Sequence, residues 1–466
     1  MILAEVRENK MGTMPINKLL ITTSVPMMIS MMVQALYNVV DSLFVSRLGE
    51  DAFTALSVAF AMQNLMISVA VGTGVGVNAL LSKSLGEKNQ KLVDKTANNA
   101  ITLALLTTIF FVILGFFIPR PYYISQLKSS TGADMSAIVN YGVEYLSIIM
   151  IFSVGIFLQV TMERLLVSTG RTVYSMITQM FGAIINIVLD PILIFGYAGA
   201  PAMGVKGAAV ATVIGQCSAA ALGIFFNKKL NPDITLRFKD LALDKKVVGR
   251  IYEVGVPSIV MGSIGSVMNF AMNRILVKFS TTAVAVFGAY FKLQSFIFMP
   301  VFGLNNGMVP IVAYNYGARR KSRIKKTVRL SMCYAAIIMV IGTILFETIP
   351  GTLLRIFDAS PTMVEIGVPA MRIIAVHFVI AAFSIVIMSV FQALGNAVYS
   401  LICSVSRQLV VLIPAAYLLS LTGKLDLVWL AFPMAEVVSV TMGLLFLRRT
   451  YRKKLNFPDT PEAESK

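Results

Sequence analysis

The chain has 466 residues, 57% of them hydrophobic and 14% charged, with a mean hydropathy of +0.78. An average soluble protein is about 25% charged, so these figures exclude disorder and a small disulfide scaffold and argue against an ordinary soluble enzyme. The 40 basic and 23 acidic residues leave a net charge of +17, which suggests nucleic acid until its distribution along the chain is followed.

A helix needs roughly 20 apolar residues to cross the hydrocarbon layer. Twelve candidate spans can be drawn, at about 17–42, 52–81, 97–118, 137–166, 173–195, 205–226, 248–276, 282–312, 328–348, 362–392, 399–420 and 427–447. The second, fourth, eighth and tenth exceed one bilayer thickness and are expected to tilt or project beyond the lipid. No cleavable signal peptide is expected, because the first apolar run continues past the length of such a segment. Cys217, Cys333 and Cys403 all lie in apolar runs and show no metal spacing.

The basic residues orient the spans. With the N-terminus placed in the cytoplasm, 28 of them fall in inner segments and eight in outer ones. The inner set includes Arg7, Lys10, Lys239, Arg320, Arg323 and Lys466, and the outer set includes Arg47, Lys128 and Lys206. Such a bias is the positive-inside signature. It predicts a multi-pass membrane protein with both termini cytoplasmic. The net charge is then explained by an anionic leaflet, without DNA or RNA. Arg164, Arg274, Lys292 and Arg407 lie within spans.

The chain also resembles itself. At an offset of 231, Val25-Pro26 pairs with Val256-Pro257, Asn38 with Asn269, Gln63 with Gln294, Gly72 with Gly303, Gly76 with Gly307 and Gly86 with Gly317. At an offset of 225, Gly170 pairs with Gly395 and Tyr174-Ser175 with Tyr399-Ser400. The expected fold is therefore an all-α integral membrane protein, with twelve transmembrane helices in two pseudosymmetric six-helix bundles. The expected division is a lobe over 1–227, a charged cytoplasmic linker over 228–247, and a second lobe with a cytoplasmic tail over 248–466. Parallel repeats that rock around a central site are a transporter architecture; a static bundle or channel is the plainer product of duplication.

Carboxylates inside spans are costly and mark function by default. Gln34, Asn38 and Asp41 recur at helical spacing and share one face, which Tyr37 flanks. Asn186 and Asp190 share a face of the fifth span, and Gln159 and Glu163 a face of the fourth. The repeat places Met272, Ala415 and Met388 where the first half has Asp41, Asp190 and Glu163. The ion-handling site is expected to be asymmetric, between spans one, four and five. Carboxylates with amide neighbours can hold a sodium ion, here at Asp41, Asn186 and Asp190, or carry a proton. The plainer alternatives are an Asp41 near the outer surface, an Asp190 at a helix end, and an ion pair of Glu163 with Arg164. Pro26 and Pro257, inside spans one and seven, are a hinge or a fixed bend. Met31 and its neighbours can adapt to varied substrates, or simply fill the core. Lys292 lies deep in span eight and is expected to shape a second-lobe cavity. His377, the only histidine, is expected to pack or hydrogen-bond. No phosphate loop and no catalytic constellation is present, so the chain is not expected to be an enzyme.

Pro26 through Gln34-Ala-Leu-Tyr-Asn-Val-Val-Asp41 to Gly49, Gly72-Thr-Gly-Val-Gly76, Ala79 to Gly86 and Asn186-Ile-Val-Leu-Asp190-Pro191 resemble the multidrug and toxic compound extrusion transporters, and most closely their bacterial multidrug-resistance branch. The resemblance runs from about Met14 to Arg449. It implies two bundles around a cleft and export of organic cations driven by sodium or proton entry. It also implies a first-half cavity that includes Asp41, Asn186 and Asp190. The expected function is cation-coupled secondary efflux of amphipathic organic cations and drugs by alternating access. Asp41, Asp190, Asn186 and Asn38 would couple the ion, and Glu163, Gln34, Tyr37, Met31 and Gln159 would bind substrate or relay a proton. No cofactor beyond Na+ or H+, no nucleic-acid partner and a monomer within membrane lipid are expected. A lipid-linked precursor flippase and a passive channel are the alternatives; Lys292, Arg274 and Arg407 keep the first open.

Overall fold

The structure, a computed structural model, describes residues 8–127, 135–237, 243–356 and 359–459. Arg7, Lys128, Lys239 and Lys466 of the charge pattern lie outside the described residues. The first bundle contains α1 (Ile16–Ser46), α2 (Glu50–Gly86), α3 (Gln90–Phe117), α4a (Met135–Ile151) with α4b (Val154–Ser168), α5 (Thr172–Phe195) and α6 (Val205–Lys229). The second contains α7 (Lys245–Leu276), α8 (Thr281–Gly317), α9 (Lys321–Thr348), α10a (Pro361–Ala375) with α10b (Phe378–Ala393), α11 (Ala397–Ser420) and α12 (Ala431–Lys454). Among the described residues, ten helices are long and apolar enough to cross a membrane, and two bent pairs pass the same test together, which makes twelve crossings if each pair is one span.

The four long spans behave in two ways. α2 and α8 stay continuous, each 37 residues long. The fourth and tenth spans bend instead, by 47° between α4a and α4b and by 50° between α10a and α10b. The bends fall at corresponding places in the two halves. α11 contains a π-helical turn over Ser406–Leu412, which shifts the register of the side chains that follow it. Pro26 and Pro257 are buried inside unbroken helices.

The bundles meet through the paired glycines. α2 packs on α7 and α8 packs on α1. Gly72 lies against Ile259, and its repeat mate Gly303 lies against Met28, the mate of Ile259. Near the ends that carry the basic loops, a Cβ on Gly86 would overlap the Tyr314 carbonyl oxygen, and one on Gly317 would overlap that of Lys83. Lys83 and Tyr314 are again repeat mates, so this crossing is made of one motif meeting its own copy about the pseudo-twofold axis. No side chain larger than hydrogen permits backbones this close.

The N-terminal residues brace the same end. Asn9 Nδ2 donates to the Thr169 carbonyl of the first bundle at 3.2 Å. Arg320 Nη1 donates to the Gly12 carbonyl at 2.6 Å, and Arg323 Nη2 donates to those of Met11 and Met14 at 3.2 and 2.7 Å. Arg320 and Arg323 are buried. They do not face a lipid leaflet as the charge pattern suggests, because the carbonyls of the short N-terminal turn need donors.

Alanine at both Gly86 and Gly317 is expected to force these ends apart, at a cost of about 1–3 kcal/mol from overpacking. Spin labels at Lys91 and Lys325 read the change as a longer distance. An unchanged distance at unchanged thermal stability would show that the glycine crossing does not hold the bundles together.

Candidate functional site

α1 and α5 lie side by side in the first bundle, so the polar face of one meets the polar face of the other. The contact begins with amides. Gln179 Nε2 donates to Gln34 Oε1 at 3.2 Å, and the Ser30 hydroxyl donates to Gln179 Oε1. One turn along α1, Tyr37 directs its hydroxyl at that of Thr212 on α6. Asp190 is fully buried and α5 continues past it to Phe195, so it is not a loop-facing helix end. In the amide orientation that satisfies both ends of Asn186, its Nδ2 donates to Asp190 Oδ2 at 3.1 Å, and its oxygen accepts from the Thr212 amide at 2.9 Å and the Thr212 hydroxyl at 3.3 Å.

Asp41 is half-buried and lies within electrostatic reach of Asp190. Each of the two keeps one oxygen, Oδ1, shielded from solvent and without a hydrogen-bond partner. Tyr37 and Tyr145 both feel the two carboxylates, and Gln63 Nε2 donates to the Tyr145 hydroxyl at 3.0 Å. The cluster therefore holds two carboxylates (Asp41, Asp190), two amides (Asn186, Gln63) and three hydroxyls (Tyr37, Tyr145, Thr212). Unsatisfied anionic oxygens among neutral polar groups offer oxygen ligands to a hard monovalent cation, or a place for a proton. Among the described residues, no group of three or more His, Cys, Asp or Glu could hold a metal ion.

The remaining expected residues are distributed differently. Asn38, on the same face of α1, is exposed, and Met31 is half-buried. Glu163 is half-buried and accepts from Gln159 Nε2 at 3.0 Å, with Arg164 as its neighbouring charge. Arg164 itself is buried and donates across the bundle interface to Asn306 Oδ1 at 3.1 Å. The fourth span thus contributes Tyr145 beside Asp41 and Asp190, and Glu163 stands with other partners. Thr212 and Tyr145 went unnoticed in the sequence, and Gln63 stood out only as the repeat mate of Gln294, because a neutral hydroxyl or amide in a long apolar helix gives little signal.

A cavity of about 560 Å³ opens between α2 and the second bundle. Its wall runs from Phe291 to Gln294 and Ser295 and does not include Lys292, which is exposed. The charged wall residues are instead Arg407, on the π-helical turn, and Glu436, on α12. The second half therefore retains a buried carboxylate, contrary to the repeat comparison. Glu436 was the lone carboxylate in its span, and it has no acidic repeat mate to draw attention to it. His377 sits at the α10 bend, where its Nδ1 meets the Ile374 carbonyl at 2.5 Å and its ring stacks on Phe432.

Residues 26–192 and 257–418 match the MatE family. The chain belongs to the MatE family. Its two matched segments begin at Pro26 and Pro257, which the internal repeat pairs. It is a membrane transporter and not an enzyme. The multidrug export protein MepA of Staphylococcus haemolyticus is 24% identical over 434 residues, 93% of each chain. The FAD transporter of Shewanella oneidensis is 24% identical over 430 residues, 91% of this chain and 92% of that one. Among solved structures, an outward-facing multidrug resistance MATE family transporter superposes with a TM-score of 0.89 at 22% identity, covering 97% of this chain and 99% of that one. A transporter from Pyrococcus furiosus, described by a binding pocket of reversed polarity, gives 0.87 at 22% identity, with the same coverage.

Asn186→Leu would remove the donor to Asp190 and the acceptor for Thr212 together. It is expected to cost about 1–3 kcal/mol of stability, read as a lower unfolding temperature in detergent. Gln34→Leu, which strips a single amide contact, is expected to cost less. Wild-type stability for Asn186→Leu would contradict the bridge.

Proposed function

We propose that this chain exports amphipathic organic cations, drugs among them, by alternating access driven by inward movement of Na+ or H+. The observation that carries this reading is the pair of shielded, unpartnered carboxylate oxygens on Asp41 and Asp190 inside the first bundle. A coupling ion satisfies both oxygens, with Asn186 and Thr212 fixing the geometry and Asn38 at the exposed edge. When the ion leaves, the site carries uncompensated negative charge, which favours a cationic substrate. Ion and substrate therefore compete, as antiport requires. The moving bodies are residues 1–227 and 248–466, joined by 228–247, with Pro26 and Pro257 as points of bending. Gln34, Tyr37 and Met31 continue the α1 face along which substrate passes, and the Gln159–Glu163 pair supplies a second negative point. The protein acts as a monomer in a bacterial inner membrane with both termini in the cytoplasm.

The flippase alternative draws less support. A lipid diphosphate calls for a basic cleft, and in the large cavity the lining arginine is paired with Glu436.

Purified protein in liposomes, given ethidium as substrate and a sodium or a pH gradient imposed separately, tests the proposal. One gradient should drive accumulation, and Asp41→Asn or Asp190→Asn should lower gradient-driven transport about tenfold or more, because each removes a functional intramembrane charge. Ethidium movement that ignores both gradients, or that both variants leave intact, would overturn it. Glu163→Gln is expected to raise KM for ethidium more than it lowers the maximal rate, because it weakens attraction and leaves the ion site in place. A selective loss of rate would assign Glu163 to coupling instead.

A further inference from the structure

Beyond the first-bundle site, the second bundle holds a charge pair that makes little structural sense on its own. Arg407 Nη1 lies 3.3 Å from Glu436 Oε2, with the side chains 21% and 4% exposed. A buried ion pair compensates its desolvation only when its geometry is good and its remaining donors and acceptors are satisfied. Here they are not. Glu436 Oε1 is shielded from water and has no partner. The guanidinium makes this single hydrogen bond among the described residues, although it carries five N–H donors. Tyr290, within electrostatic reach of both charges, also buries a hydroxyl that no group meets.

The pair faces a cavity large enough to hold a small molecule. Its volume of about 560 Å³ falls in the ordinary range of ligand sites. Met268, Phe298, Met299 and Phe432 give it apolar walls, while Gln294 and Gln408 add amides. Both residues line the cavity, so a ligand that parts them meets each charge at the wall.

The sign of the charges decides the ligand class. Arg407 and Glu436 together are neutral. A purely cationic ligand drawn to Glu436 would leave the half-buried Arg407 without its partner, and a purely anionic one would strand the buried Glu436. A molecule that carries both charges can exchange partners with the pair and leave neither exposed to the apolar wall. We propose that this cavity between α2 and the second bundle is a binding site for small amphiphilic zwitterions, with Arg407 taking the ligand carboxylate and Glu436 its ammonium. The π-helical turn serves this geometry by setting Arg407 and Gln408 into the cavity wall together.

Nε-dansyl-lysine is the probe: it has an aromatic body and a free α-ammonium and α-carboxylate. Its methyl ester keeps only the cation, and its Nα-acetyl form keeps only the anion. Trp429, the only tryptophan of the chain, is buried in the second bundle's core, and its energy transfer to the dansyl group reads binding. The titration is made in detergent without any ion gradient, so its outcome is independent of whether Asp41 and Asp190 couple transport. The zwitterion is expected to bind about tenfold or more tighter than either single-charge form, in line with one charge-assisted hydrogen bond gained or lost. R407Q should abolish discrimination against the methyl ester, and E436Q discrimination against the Nα-acetyl form. Each of these variants leaves one charge without its partner, so R407Q/E436Q, which leaves none, is the companion and should bind all three probes alike. Equal binding of the three probes to the wild type, no energy transfer with any of them, or wild-type preference retained in R407Q/E436Q would overturn the assignment.

Discussion

An ionised carboxylate oxygen held away from water, with no donor beside it, costs several kcal/mol unless a proton or a cation joins it. Asp41 and Asp190 each carry such an oxygen, and the rest of the first bundle is arranged around that cost. α1 and α5 pack so that their polar faces meet, Asn186 ties Asp190 to Thr212, and Tyr37 and Tyr145 ring the pair. Were these oxygens fully hydrogen-bonded, the cluster would be an ordinary buried network that specifies packing. Left open, it becomes a place whose energy changes when a small cation comes or goes.

That change can act on the whole protein only through the packing that joins the two bundles, and glycine crossings lie at its centre. The same motif meets its copy at Gly72 with Ile259 and at Gly303 with Met28, and again where Gly86 and Gly317 press against the carbonyls of Tyr314 and Lys83. At Gly303, Gly86 and Gly317 the nearest atoms are all backbone, which leaves no side chain to adapt, so such a contact forms or breaks as a unit. The frame is thus symmetric and the chemistry placed on it is not. The first bundle carries two facing carboxylates, and the second carries an Arg407–Glu436 pair on helices eleven and twelve, at positions unrelated by the repeat.

The spans were legible because a bilayer imposes length and apolarity on every crossing, and the two bundles were legible because duplication left matching residues at a constant offset. Asp41, Asn186 and Asp190 could be brought together in advance for a similar reason: carboxylates are rare in such helices, and helical spacing fixes which side chains share a face. What escaped was chemistry without a local signature. Thr212 is one hydroxyl in a helix of small residues. Arg320 and Arg323 looked like loop charges, yet they bind carbonyls some 300 positions away in sequence. The α10 bend at Val376 and His377 contains no proline or glycine, and we have no physical account of why the helix breaks there. Glu436 was visible but passed over, because the repeat directed attention to Met272, Ala415 and Met388.

Difference infrared spectroscopy of the carboxyl groups, recorded as an organic cation is added to the protein in lipid, tests the central claim most directly. The account predicts that the spectrum changes as the coupling ion leaves the two carboxylates, and that the change disappears in a protein carrying Asn at both 41 and 190. A carboxyl signal that does not respond to substrate, or one that persists undiminished in the doubly substituted protein, would contradict it.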